Sequence, residues 1–398
     1  MVGIEPLGSI AIAQRSSYLS ALLIPFGFLA YLLITYTYNL FFHPLRNYPG
    51  PLLWRVSSIP FAIATTRGTL QQEIREIHER YGDIVRIQPF ELSYTNAQAW
   101  KDIYAHKPGR PEFSKDPYRY QKPMNGVPNI LGADKENHDR YRRLLAHAFS
   151  EKGLREQESH IRDHVDLLID RLGEIARADQ EAEMVSWYTM ITFDVVGDLA
   201  YGESFDSLRN RKLHKWIEAI LGSLQFLITS DLLRRGGVDF LIPYFLPKRL
   251  IELRKQNYMF TVDKVQSRLQ HTEERGDFWV ITTLTNFHFT SNRLTDILQD
   301  KIVKKSANNN EGGEGMTLHE MVSNSGTLIL AGSETSASTL SGATYLLTSH
   351  PAILKQAVQE VRSTFNSPKE INLISVNGLR YLTAVLEETM RIYPPGSS

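Results

Sequence analysis

The stretch Leu330–Leu340 reads LAGSETSASTL, and Glu334 is its only charged residue. From Met321 to Leu347, twenty-seven residues, no other side chain carries a charge. An α-helix of that length rises about 40 Å, enough to cross a whole domain. A helix that is apolar or small all round is normally buried on all sides. The hydroxyl residues fit such a helix, because Ser and Thr bond back to carbonyls one turn earlier. Glu334 does not: an unpaired buried carboxylate is costly or stays neutral. An acid beside Thr335, next to the side-chain-poor Ala331 and Gly332, instead suits proton delivery to a flat ligand lying against the backbone.

Outward from this helix, the pattern is mainly helical. Thr317 and Glu320 have the spacing of a capping box and place its start. Upstream, SANNNEGGEGM reads as a surface loop. Downstream, Pro351 opens a helix at PAILKQAVQEVRSTF, and LRYLTAVLEETMRIYPP is the last helix, stopped by Pro394 and Pro395. Helical periodicity also covers ENHDRYRRLLAHAFS, IRDHVDLLIDRLGEIARA, MVSWYTMITFDVVGDLAYGESF, Leu213–Ser230 and Lys248–His271. Nearer the start, Gln71–Tyr81 is an amphipathic helix ended by Gly82, and DIVRIQPFELSYTN alternates as two short strands around Pro89. The expected fold class is mainly α with a small β lobe.

The N-terminus is different. No Lys, Arg, Asp or Glu lies between Arg15 and Arg46. SYLSALLIPFGFLAYLLITYTYNLFF is long enough to cross a hydrocarbon core of about 30 Å, and Tyr36, Tyr38, Phe41 and Phe42 gather where an aromatic belt would sit. Residues 1–45 are therefore expected to be a membrane anchor, with residues 46–398 as the globular body facing the cytosol. Pro49, Gly50 and Pro51 read as a stiff linker between them.

Composition excludes several functions. The 398 residues carry a net charge of zero, so there is no basic footprint for nucleic acid. There is no cysteine, which removes disulfides, thiolate metal sites and cysteine nucleophiles. Neither a phosphate-binding loop nor a G-x-S-x-G elbow is present. His160 and His164 have a zinc-compatible spacing, but a third ligand is not evident and SHIRDHVD reads as a solvated face, so no metal site is expected.

Two further constellations stand out. Glu388 and Arg391 are three residues apart on one helix face, able to form an ion pair. His138 and Arg142, beside Arg140 and Arg143, lie on a helix that also carries Leu144, Leu145 and Phe149. A guanidinium there suits bidentate bonding to a carboxylate, and the alternative is a basic solvated face.

Taken in order, AGSETS, then ETMR followed by YPP, together with YPGP after the anchor, resemble the microsomal cytochromes P-450. These are haem-thiolate monooxygenases, and HDRYRRLLAHAFS and FDVVGDLAYGESF look most like fungal members that tailor secondary metabolites. The resemblance implies a cytochrome P-450 fold and a haem cofactor. In that scheme Glu334 and Thr335 manage protons, Ala331 and Gly332 line the distal face, and Arg142 bonds a haem propionate. His138 stands where the family usually has Trp, and Glu388 with Arg391 form an internal ion pair. It further implies oxidation of a hydrophobic small molecule, by hydroxylation or desaturation, at the endoplasmic reticulum membrane. Electrons would come from NADPH–cytochrome P-450 reductase. The iron-ligating cysteine of the family belongs to a Gly-rich loop after the E-x-x-R helix, so it is expected beyond Ser398, in a fold truncated at its C-terminus. The competing expectations are an inactive remnant, a membrane-tethered binding protein, or an unrelated helical protein with two spans.

Overall fold

The computed structural model describes residues 26–27, 29–116, 120, 124–146, 148–235, 248–270 and 315–396. They form two compact units, one up to residue 113 and one over residues 114–397.

The first unit carries helices α1 (Leu52–Val56), α2 (Ile59–Arg67), α3 (Leu70–Tyr81) and α4 (Ala97–Tyr104), with strands β1 (Ile84–Gln88) and β2 (Glu91–Tyr94). The strands pair antiparallel, Ile84 opposite Tyr94 and Gln88 opposite Glu91, with Pro89 in the turn as expected. Gly82 ends α3 at φ 98°, where a side chain would be strained. Trp54, Ala64, Leu70, Ile77, Val85 and Ile87 form the core. Arg86 is fully buried and donates to Pro89 O and, at 2.9 Å, to Asn39 O, so its charge is held by carbonyl dipoles. Gly50 passes so close to the Arg86 carbonyl that a Cβ would collide with it, which explains the glycine in PGP. Ahead of it, residues 29–37 are helical and run into a π-turn at Tyr38–Phe42. Leu29, Leu33, Ile34, Phe41 and Phe42 are exposed there. Among the described residues no helix is long and apolar enough to cross a membrane; Tyr18–Ile24 of the expected span lie outside them.

The second unit is helical. It comprises α5 (Lys135–Ala146), α6 (Glu151–Arg177), α7 (Met184–Tyr201), α8 (Ser207–Asn210), α9 (Lys215–Arg235), α10 (Lys248–Gln270), α11 (Leu318–Ser349), α12 (Pro351–Thr364) and α13 (Arg380–Ile392). The long helix of the sequence reading is α11, which packs most extensively on α7 and also touches α10, α12 and α13. Most of its buried residues lie in the N-terminal half: Met321, Val322 and Ile329 join Tyr141 and Leu145 of α5, Phe193 of α7, Ile217 of α9 and Val265 of α10 in one core. Phe205, Trp216 and Phe260 stack beside it, Trp216 to Phe260 at 4.8 Å between centroids. Of the expected loop SANNNEGGEGM, residues 306–314 lie outside the described residues, while Met316 is buried in the core rather than solvated.

Candidate active site

The capping box at the start of α11 is present: Thr317 Oγ1 accepts from Glu320 N at 3.2 Å, and Glu320 Oε2 accepts from Thr317 N at 2.7 Å. The same carboxylate does more. Arg140 Nη2 donates to Glu320 Oε1 at 2.5 Å, Arg140 Nη1 to Oε2 at 3.2 Å, and the Tyr141 hydroxyl to Oε1 at 3.0 Å. Burial pushes the Glu320 carboxyl up, but Arg140 and the Thr317 amide outweigh it and hold it below its ordinary value. Arg140 also bonds the Gly315 carbonyl at 2.6 Å, so the cation is fully engaged at the head of the helix.

Along α11 the small residues divide by direction. Ser333 is fully buried and donates to Thr192 O of α7 at 3.3 Å, and Ala337 and Ala343 are buried below it. Gly332 belongs to this inner side: a Cβ there would lie 3.3 Å from Val196 Cγ2, so its missing side chain lets α7 approach. Ala331 and Thr335 point the other way and are exposed, as is Ser336. Thr335 Oγ1 donates to Ala331 O at 2.6 Å, and Thr339 Oγ1 donates to Thr335 O at 2.9 Å. Glu334, between the two sides, is half-buried. It has no hydrogen bond or ion pair with any other described residue, and burial raises its pKa above the ordinary glutamate value. The structure therefore brings Ala331, Glu334 and Thr335 together at an open turn and sets Gly332 in the packing behind it.

The basic run on α5 separates by helical phase. Arg140 turns inward to Glu320, whereas Arg142 and Arg143 are exposed. His138, one turn before Arg142, is half-buried with Nδ1 3.3 Å from Asp139 Oδ1. Arg142 forms no bond with another described residue, so its five donors are available to an anion.

On α13, Arg391 grips Glu388 through two bonds of 2.7 Å. The pair was expected inside; among the described residues it is exposed, Glu388 at 54% and Arg391 at 71% of side-chain surface. The reason is the face that α13 uses on α11. Thr389 is buried there, and a Cβ at Gly342 would sit 3.0 Å from the Tyr393 ring and 3.4 Å from Thr389 Cγ2. Among the described residues, α13 meets α11 through this packed face.

His160 and His164 do not form a solvated face. His164 Nε2 lies 3.2 Å and His160 Nδ1 3.6 Å from the same Asp198 oxygen on α7. Among the described residues no group of three or more such side chains is arranged to hold a metal. Sequence reasoning missed this contact and also Arg140. Glu320 was visible as a cap, but nothing in the run of arginines distinguished the one that reaches it.

The chain was compared with known proteins. The family model for cytochrome P450 matches residues 48–398. Versicolorin B desaturase of Aspergillus parasiticus is 50% identical over 373 residues, covering 94% of this chain and 70% of the relative. Versicolorin B desaturase stcL of Emericella nidulans is 47% identical, covering 92% of this chain and 70% of the relative. Averantin hydroxylase of Dothistroma septosporum is 41% identical, covering 92% and 65%. A match from the linker to the last residue, with relatives up to 50% identical over most of the chain, makes this chain a member of the cytochrome P450 family of haem-dependent oxidoreductases.

Proposed function

We propose that the chain serves the oxidation of a hydrophobic, polycyclic secondary metabolite of the versicolorin kind, by desaturation in preference to hydroxylation. Two relatives named as versicolorin B desaturases, at 50% and 47% identity, support that order over the averantin hydroxylase at 41%. The observation that carries the reading is the open turn at Ala331 and Thr335 beside Glu334, whose half-buried side chain has no hydrogen bond or ion pair with another described residue.

The residues present fit one face and the rim of a haem. Ala331 presents only a methyl group, Thr335 a hydroxyl, and Arg142 a guanidinium that bonds no other described side chain and would suit a propionate, with His138 on the same side of α5. A thiolate for the haem iron would have no donor among these 398 residues, which contain no cysteine. When bound, haem would supply dioxygen activation. The chain's own contribution is proton handling and placement. Thr335 now donates to the Ala331 carbonyl and, by rotating about χ1, presents that proton to a ligand on the open turn. Glu334, with its raised pKa, keeps a protonated fraction nearer neutrality and can restore the proton from solvent.

Residues 1–45 are proposed to anchor the protein in the endoplasmic reticulum membrane, with 46–398 as the catalytic domain receiving electrons from NADPH–cytochrome P-450 reductase. The exposed apolar side chains of residues 29–42 support a lipid-facing segment. Disrupting the gene in its host and profiling metabolites by mass spectrometry tests the function. The expected result is accumulation of a polycyclic aromatic compound two hydrogens richer than the lost product. An unchanged profile would overturn it, and a product one oxygen heavier than the accumulating compound would move the reading to hydroxylation.

A further inference from the structure

The two residues that precede Glu334 both meet α7. Ser333 Oγ, fully buried, donates to Thr192 O at 3.3 Å, while Thr192 Oγ1 turns back into its own helix, to Tyr188 O at 2.8 Å. Gly332 lies against Val196, where a Cβ would stand 3.3 Å from Cγ2 and 3.7 Å from Cγ1. Thr192 and Val196 are one turn apart, so both contacts come from one ridge of α7. Ser325, Ile329, Ser333 and Ala337, at intervals of four and all buried, form the inner ridge of α11.

An α-helix turns about 100° per residue. With Ser333 pointing at α7, Gly332 stands about 100° to one side and Glu334 about 100° to the other. Any rotation of α11 about its axis therefore moves the two in opposite senses. Bringing Gly332 toward α7 would lift Glu334 into water, and Val196 blocks that movement. The opposite rotation would carry Glu334 into the interface, and the Ser333–Thr192 bond resists both. Glu334 is held half-buried between these limits. On the helices packed against α11, Asp194 and Asp198 of α7 bond to α8 and to His164, and Lys264 of α10 pairs with Glu203. Glu360 of α12 caps α13 at Tyr381 and Leu382, and Glu388 pairs with Arg391. None of these charges contributes to the raised Glu334 carboxyl, which has burial as its cause.

Resting on the function proposed above, we propose that Ser333 and Val196 are positioning residues for Glu334: they fix the rotation of α11 at the open turn, and so how much water reaches that carboxylate. In the full chain, the gain in thermal midpoint that Glu334→Gln brings at pH 8 over pH 4 measures the burial of the charge. In a Ser333→Ala or Val196→Ala background α11 is free to turn and the ionised carboxylate moves to water. The gain should then fall to roughly half or less. Thr344→Val serves as the control. It removes another side-chain bond between the same helices, Tyr188 to Thr344 at 2.8 Å, about 16 Å further along α11. That variant should lower the midpoint yet leave the Glu334→Gln gain at its wild-type size, which separates positioning from loss of packing. An undiminished gain in both Ser333→Ala and Val196→Ala, or an equal loss of it in Thr344→Val, overturns this inference. So does a wild type in which Glu334→Gln gains nothing at pH 8. These melts involve neither substrate nor haem, so the functional reading stands or falls separately, on the metabolite profile.

Discussion

Burial raises the Glu334 carboxyl above its ordinary value, and pH can reveal the cost. Its carboxyl is raised in the folded chain, so folding favours the protonated form. Below the unfolded glutamate value, about 4.3, the group is protonated in both states and carries no penalty. As pH rises through the folded value, the relative stability is lost. Glu334→Gln should therefore raise the thermal midpoint at pH 8 and leave it unchanged at pH 4, measured in parallel melts. A gain of equal size at both values would show that charge is not the issue. Where turnover is measurable, Thr335→Ala should lower product formed per NADPH and raise peroxide, and tight coupling in that variant would count against its proton role. Glu320 has the opposite sign: its depressed carboxyl contributes stability above the unfolded value, lost as pH falls through the folded one. Glu320→Gln should cost about 3 kcal/mol in denaturant unfolding at pH 7, because it strands the Arg140 charge. Glu388→Gln, in a solvated pair, should leave the midpoint nearly unmoved. Residue types and spacings pointed to Glu334 and Thr335 as candidates. They could not tell that Gly332 serves Val196, because helical phase against a neighbour is a tertiary fact.

At the scale of elements, α7 and α11 depend on missing side chains. At Gly197 a Cβ would lie 2.5 Å from Phe205 Cε2, and that ring is pinned by Trp216 at 5.0 Å between centroids. Gly197→Ala gains up to about 1 kcal/mol of helix propensity but forces a clash that costs about 1–3 kcal/mol. The net result should be a lower denaturation midpoint; a higher one would mean that Phe205 moves freely. Most elements were legible from periodicity and their stops, such as Gly82 after α3, Pro351 before α12, and the two strands about Pro89. Helices α1, α2, α4 and α8 were not, and the reason is plainest at α8. Its amides at Ser207 and Leu208 are capped at 3.0 and 2.8 Å by Asp194, thirteen and fourteen residues upstream and almost fully buried. A cap contributed from another helix leaves no local signature.

For the whole molecule, motif order identified the family, while the way charges are shared between helices was not readable. AGSETS and ETMR survive in isolation as strings, but Arg140 finds Glu320 only once α5 docks. Two outcomes belong at this scale. Deleting residues 1–45 should move the protein from the carbonate-resistant membrane pellet to the soluble fraction; retention in the pellet would assign membrane binding elsewhere. Because these residues include no cysteine, haem reconstituted into the 398-residue chain should give no thiolate-type spectrum with carbon monoxide after reduction. Such a spectrum would require a sulfur ligand from outside the chain.

The carboxylate shared by the Thr317 cap and Arg140 has a kinetic consequence. One half of its bonding closes over three residues, the other over 180. Closing the longer loop is entropically dear, so the cap should form early and the Arg140 contact after the rate-limiting barrier. Arg140→Met should then accelerate unfolding while barely slowing refolding, whereas Thr317→Ala should act on the refolding limb.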